Sequence, residues 1–274
     1  FRGNGGSTMT VSVVDAGSNA FGAGLRTYGD DSRLFDIDTS PSGTSSFSFS
    51  FENSSFSTAG NRSELLSLNT GANSDATLAF DNAQLMTLGV DSTLLELTTG
   101  STNVINIVIV DSIFNTTGNH SGIIISQAGA NTADSSDTFF IGDSQFVTTG
   151  DDSGIIVIDD GGDVFVRSFT MDGSFLTTTG DRSPGIVIGD VGTTSIMSTT
   201  ITDTQISTLG DDSSALSHGA TKSNSVISGT FQDLDLTTVG DRSEGLRFDG
   251  LDDRGLGTSG SSIASVIVER VDVE

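Results

Sequence analysis

About every thirty residues the chain returns to the same glycine. It falls at Gly29, Gly60, Gly89, Gly118, Gly150, Gly180, Gly210 and Gly240, at intervals of 29 to 32 residues. Two residues earlier stands a threonine each time: Thr27, Thr58, Thr87, Thr116, Thr148, Thr178, Thr208 and Thr238. Three residues later stands a serine: Ser32, Ser63, Ser92, Ser121, Ser153, Ser183, Ser213 and Ser243. Four residues before the glycine the side chain is always apolar, from Leu25 and Phe56 to Leu236, and nine before it is apolar again, from Ala20 and Phe51 to Phe231. Columns without an exception do not arise by chance, even in a chain rich in Ser and Thr. A repeat of this length implies an array in which each unit covers the hydrophobic face of the next.

The repeat from Gly150 shows the content of one unit. Residues 154–158 (GIIVI), 164–171 and 174–179 read as three short strands, with turns at 159–163 (DDGGD), 172–173 and 180–181. Three strands in thirty residues are too few for a propeller blade and fit one coil of a parallel β-helix. The spacing predicts an all-β solenoid of eight to nine coils, about 30 residues each. The chain then forms a single domain over 1–274: a partial coil over 1–19, regular repeats over 20–248, an irregular loop over 249–262 and a last strand over 263–274.

Composition agrees. There are 34 Gly, 2 Pro and no Cys, and Asp outnumbers Glu by 30 to 6. Asp and Gly favour turns, whereas a helical chain leans on Glu, Lys and Ala. Residues that are 34% apolar and ordered in columns argue against disorder. The net charge of −25 makes nucleic acid and anionic membranes poor partners. No apolar run approaches the roughly 20 residues of a membrane-spanning helix, so no membrane insertion is expected. Without Cys there are no disulfides, thiolate metal sites or thiol nucleophile.

The columns predict side-chain positions. The Thr column shares its parity with the apolar column and should face the core, as a structural ladder bonded along itself. Antifreeze β-helices also have regular Thr columns, but they need a flat outward array. The neighbouring outward columns here are mixed, which argues against ice binding. Two residues after the glycine runs a column of alternating charge: Asp31, Arg62, Asp91, His120, Asp152, Arg182, Asp212 and Arg242. Stacked coils would set each Asp between basic neighbours and fix the register. The preceding column holds Asp151, Asp181, Asp211 and Asp241 in four consecutive coils. Like charges that close repel, and Arg182, Arg242 or a bound Ca2+ could relieve them. The calcium nonapeptide pattern is absent, so no cofactor is required. His218 takes the place of Leu68, Leu97, Ile158 and Ile188 in an apolar column and is expected to be partly buried.

No catalytic pair stands out. Asp30/Asp31, Asp151/Asp152 and Asp211/Asp212 recur at equivalent turns, so the repeat explains them without chemistry. Spacings that vary by only three residues leave no room for the loops that wall a cleft, and the chain lacks Trp. The expectation is that the protein is not an enzyme.

Both ends read as bare strands. Thr8, Met9, Thr10, Val11, Ser12, Val13 and Val14 match the second strand of the repeat, as do Val266, Ile267, Val268, Val271 and Val273. An uncapped coil exposes strand edges, which suggests stacking of one subunit's last strand on another's first. The motif T-x-G-[DN]-x-S-x-G-[IL], clearest in 178–186 (TTGDRSPGI) and 116–123 (TTGNHSGI), resembles the passenger β-helices of bacterial autotransporters and related adhesins. The resemblance spans roughly residues 20–250. It implies an exported, right-handed parallel β-helix at a bacterial surface. The membrane barrel of that family is lacking, and the coils are more regular than in most passengers. The expected function is therefore a self-stacking subunit of an extracellular filament. The alternative is an adhesin fragment that binds a glycan or other surface ligand, and a polysaccharide-active enzyme ranks third.

Overall fold

The computed structural model describes residues 2–3, 8–14, 23–39, 44–128, 135–159, 165–189, 191–219, 225–248 and 263–274. The described residues form strands and turns without a helix. The fold is a β-solenoid of about 7 turns, with about 30 residues per turn and every strand pair parallel. The irregular loop expected over 249–262 and the turn at 160–163 lie outside the described residues.

Strands of successive repeats stack on one another in sequence order. Ile156–Asp159 belongs to a nine-stranded sheet, beside Ile124–Ala128 and Ile186–Ile188. Phe165–Asp172 belongs to a stack of long strands between Ser135–Gly142 and Ile196–Thr202. Phe175–Thr178 belongs to a stack of short strands between Gln145–Thr148 and Gln205–Leu209. The long and short stacks join into one sixteen-stranded sheet because Val226–Val239 runs unbroken through the corner that separates them elsewhere.

Inward residues alternate with outward ones along each strand, and the inward ones line up from coil to coil. Phe51, Phe80, Ile109, Ile141, Met171, Ile201 and Phe231 form one buried column. Phe56, Leu85, Phe114, Phe146, Leu176, Ile206 and Leu236 form another. These are the two apolar columns of the sequence. Their rings touch along the rod: Phe51 stacks on Phe80 with centroids 5.2 Å apart, Phe80 meets Phe114 edge-on at 5.6 Å, and Phe114 stacks on Phe146 at 5.2 Å.

The glycine column is fixed by close approach. A Cβ at Gly150 would lie 2.1 Å from the carbonyl oxygen of Gly118, and one at Gly180 would lie 2.1 Å from that of Gly150. The coils pass too near each other at this corner for any side chain. The serine column fills the space beside it. Each hydroxyl bridges two coils: Ser183 Oγ accepts from the backbone N–H of Ser153 at 3.0 Å and donates to the carbonyl of Gly150 at 2.7 Å. The same pair of bonds recurs at Ser63, Ser92, Ser121, Ser153 and Ser213.

Candidate functional site

The corner after each glycine gathers the charged columns. Its second residue is left-handed in every coil: Asp31, Arg62, Asp91, His120, Asp152, Arg182, Asp212 and Arg242 all have φ between 53° and 59°. This conformation costs a non-glycine residue roughly 1–2 kcal/mol. Ion pairs form on it, but not evenly. Each Arg reaches back to the preceding coil and grips one Asp with two hydrogen bonds. Arg62 holds Asp31 at 2.6 and 2.8 Å, Arg182 holds Asp152 at 2.6 and 2.7 Å, and Arg242 holds Asp212 at 2.5 Å for both. Asp152 lies between two basic neighbours as expected, with His120 Nε2 at 3.5 Å on one side and Arg182 on the other, while Asp31 and Asp212 each form a direct ion pair with the Arg of the following coil. Only His120 lies between two carboxylates, 3.6 Å from Asp91 and 3.5 Å from Asp152. The Arg hydrogen bonds hold the Asp31, Asp152 and Asp212 carboxyls below the ordinary carboxylate range.

The stacked Asp column has a different explanation from the one its charges suggested. Each carboxylate accepts the backbone N–H of its counterpart in the next coil. Asp151 Oδ1 accepts from Asp181 N at 3.0 Å, Asp181 Oδ1 from Asp211 N at 3.0 Å, and Asp211 Oδ1 from Asp241 N at 2.7 Å. Asp30 and Asn119 do the same, so the short acceptor side chain is what the corner selects. Among the described residues no three acidic or His side chains are placed to hold a metal ion.

The Thr ladder faces inward, as its parity required. Thr58, Thr87, Thr116, Thr148, Thr178 and Thr208 are buried, while Thr27 and Thr238 in the outermost coils are half-buried. It does not bond along itself, contrary to expectation. The hydroxyls of Thr58, Thr87 and Thr208 donate across the corner to the carbonyls of Ser63, Ser92 and Ser213 at 2.7–2.8 Å. Those of Thr116, Thr148 and Thr178 are buried without a hydrogen bond.

Two charged groupings escaped the sequence reading. Asp137 and Arg167 occupy core positions of adjacent long strands and are both almost fully buried, with Arg167 Nη2 donating to Asp137 Oδ2 at 2.7 Å. The guanidinium lies over the rings of Phe165 and Phe139, at 5.3 and 5.9 Å. The strand parity was the available signal, since both residues alternate with buried Phe. The second grouping lies just ahead of the strands of the nine-stranded sheet, where Arg33 Nε meets Glu64 at 2.7 Å. Burial and the adjacent Glu96 carboxylate push the Glu64 carboxyl above its usual range despite that Arg. His218 is more deeply buried than expected: it lies in register with Ile188 and Phe248, and burial lowers its pKa.

At the ends the core columns run out into solvent. Met9 and Val11 at one end, and Val266 and Val271 at the other, pack against the core while remaining half-buried. Thr10, Ser12 and Ile267 are exposed. Val268 pairs with Phe231 and Val273 with Leu236, so both continue core columns, yet they are 48% and 56% exposed. Leu25 ends the second column at the opposite end and is 46% exposed.

No protein-family model, curated protein or solved structure matches the chain.

Proposed function

We propose that the protein is a structural subunit of an extracellular filament or surface appendage, probed by no substrate and built by head-to-tail stacking of its coils. The observation that carries this reading is the exposure of Val268 and Val273 in columns whose preceding members, Phe231 and Leu236, are fully buried. A coil of a second copy, laid on this end, would bury them as every internal coil buries its neighbour. Such a contact is heterologous and does not close, which produces a fibre. High negative charge then keeps fibres from bundling sideways.

The reading includes a right-handed coil of three strands and eight to nine coils per subunit. It also includes export to a bacterial surface, carried by the repeat's resemblance to autotransporter passengers. It requires no catalysis and no cofactor. Negative-stain electron microscopy of the purified chain, with and without a chelator, is the test. The expected result is long fibres of uniform width in both conditions. Fibres that dissolve in chelator place Ca2+ at the Asp corners and remove the claim that no cofactor is needed. Short rods alone, at high concentration with calcium present, overturn the filament.

A further inference from the structure

The face formed by the short strands is uncharged across its middle. Between Ser55 and Leu209 none of its outward side chains carries a charge, in a chain of net charge −25. The charges stand instead at the corners, on the nine-stranded sheet and at Asp75 of a long strand, with Asp137 and Arg167 inside the core. Next to the corner with the long strands, this face carries a column with a period of two coils. Gln84, Ile113, Gln145, Phe175 and Gln205 follow each other in register, amide and apolar group by turns. Phe175 is 55% exposed. Ile113, the other apolar member of the column, is 40% exposed, so both its apolar side chains face water.

The corner beside it is notched. The left-handed position between long and short strands is held by Asp111, Asp143, Asp203 and Asp233, but by Gly173 in the coil of Phe175. The carboxylate of Asp143 occupies the vacated room: a Cβ on Gly173 would lie 2.5 Å from Asp143 Oδ1. The result is a groove of about 570 Å³ lined by Ile113, Asp143, Gln145, Phe175, Thr177 and Gln205, among others.

We propose that this groove binds a linear, uncharged, β-1,4-linked polysaccharide lying along the rod axis. Each part of the chemistry matches. A side-chain amide both donates and accepts, as vicinal sugar hydroxyls do. The Phe175 ring offers an apolar surface to the C–H face of a pyranose. Asp143 accepts a charge-assisted bond from a hydroxyl, and the groove has no cation with which to hold an anionic polymer. The period matches too. Coils stack about 4.8 Å apart, so like groups in the column recur after about 9.6 Å. That is close to the length of two residues in an extended β-1,4-linked chain, where alternate rings are flipped and equivalent groups recur at every second residue. This proposal does not depend on filament formation, since the groove lies on the side of the rod.

Isothermal titration of the full chain tests it, with cellohexaose, mannohexaose and chitohexaose as uncharged probes and hexagalacturonate as the charged one. The expected result is binding of at least one uncharged hexamer and none of hexagalacturonate. Phe175→Ala and Gln145→Ala should each weaken that binding at least tenfold. Both side chains are exposed, so the far-UV spectrum and melting temperature of the variants should match the parent. Met86→Ala, on the same face outside the groove, should bind as the parent does. Failure of all three uncharged hexamers to bind overturns the proposal. So does binding that survives both Phe175→Ala and Gln145→Ala, and so does a preference for hexagalacturonate.

Discussion

Two Asp–Arg pairs in this molecule share one covalent pattern and live in opposite surroundings. Asp152 and Arg182 are thirty residues apart in adjacent coils, and so are Asp137 and Arg167. The first pair sits at the glycine corner in water and forms two well-aligned bonds. The second is sealed in the core beside Phe139 and Phe165, where Arg167 Nη2 donates to Asp137 Oδ2 at 2.7 Å and Asp137 Oδ1 accepts no hydrogen bond. Good geometry in solvent contributes little, because water and salt screen it. Poorer geometry in the core matters more, because neither charge can return to water while the fold persists. The comparison teaches that burial, not the neatness of the contact, decides what a substitution costs.

The largest test breaks the inner pair on one side. Arg167→Met strands the Asp137 carboxylate in the core and should lower the unfolding free energy by about 3–5 kcal/mol, read by guanidinium denaturation. The double variant Asp137→Leu/Arg167→Met should recover to within about 1 kcal/mol of the parent or exceed it. A double variant as unstable as the single one would show that the pair specifies the core packing. Next comes Gly150→Ala, which sets the cost of backbone contact at the corner against that of charge there. The added methyl meets the Gly118 carbonyl at 2.1 Å, and a loss of about 3 kcal/mol is expected by the same measurement.

A smaller effect, of opposite sign, is expected from His218→Leu. The imidazole Nε2 is buried without a hydrogen bond, in a column whose other members are Ile37, Leu68, Leu97, Ser126, Ile158, Ile188 and Phe248. The substitution should stabilise by about 1 kcal/mol at neutral pH. Its folded pKa lies below the ordinary value of 6.5, so the unfolded chain binds the proton first. The parent should therefore lose stability as pH falls below about 6.5, and the variant should lose less over that range.

Arg182→Gln at the outer pair should have the least effect, a shift in melting temperature that fades on adding salt. Acid removes what the corner pairs contribute. Asp31, Asp152, Asp212 and Asp233 have folded pKa values below 3.8, with Asp233 lowered to about 2 by Arg270. The unfolded chain binds more protons in that window. The stability these pairs contribute is present above about pH 4 and disappears as pH falls towards 2. In an acid titration the parent and Arg182→Gln should differ above about pH 4 and converge as pH falls towards 2.

The architecture was legible because a solenoid writes its contacts at a fixed interval. Phe51, Phe80 and Ile109 announce a column before any coordinate is known, and so do the glycines. The chemistry of the corner was not legible from the same columns. Stacked Asp reads as repulsion until the amide that each carboxylate accepts is seen, because backbone direction leaves no mark on residue identity. The Thr hydroxyls were misassigned for the same reason. Asp137 and Arg167 could have been found from parity alone. The notch at Gly173 could not, because it takes meaning only from the carboxylate that moves into it.

The forward-facing acceptors of the glycine corner give the rod a sense of direction. A finished coil holds out the Gly150 carbonyl, the Asp151 carboxylate and the Asp152 carboxylate, and the coil that follows supplies the Ser183 hydroxyl, the Asp181 amide and the Arg182 guanidinium. Each completed turn is thus a template for the next stretch of chain. Winding can advance from the amino end one turn at a time, like thread onto a spool, without waiting for distant segments to arrive.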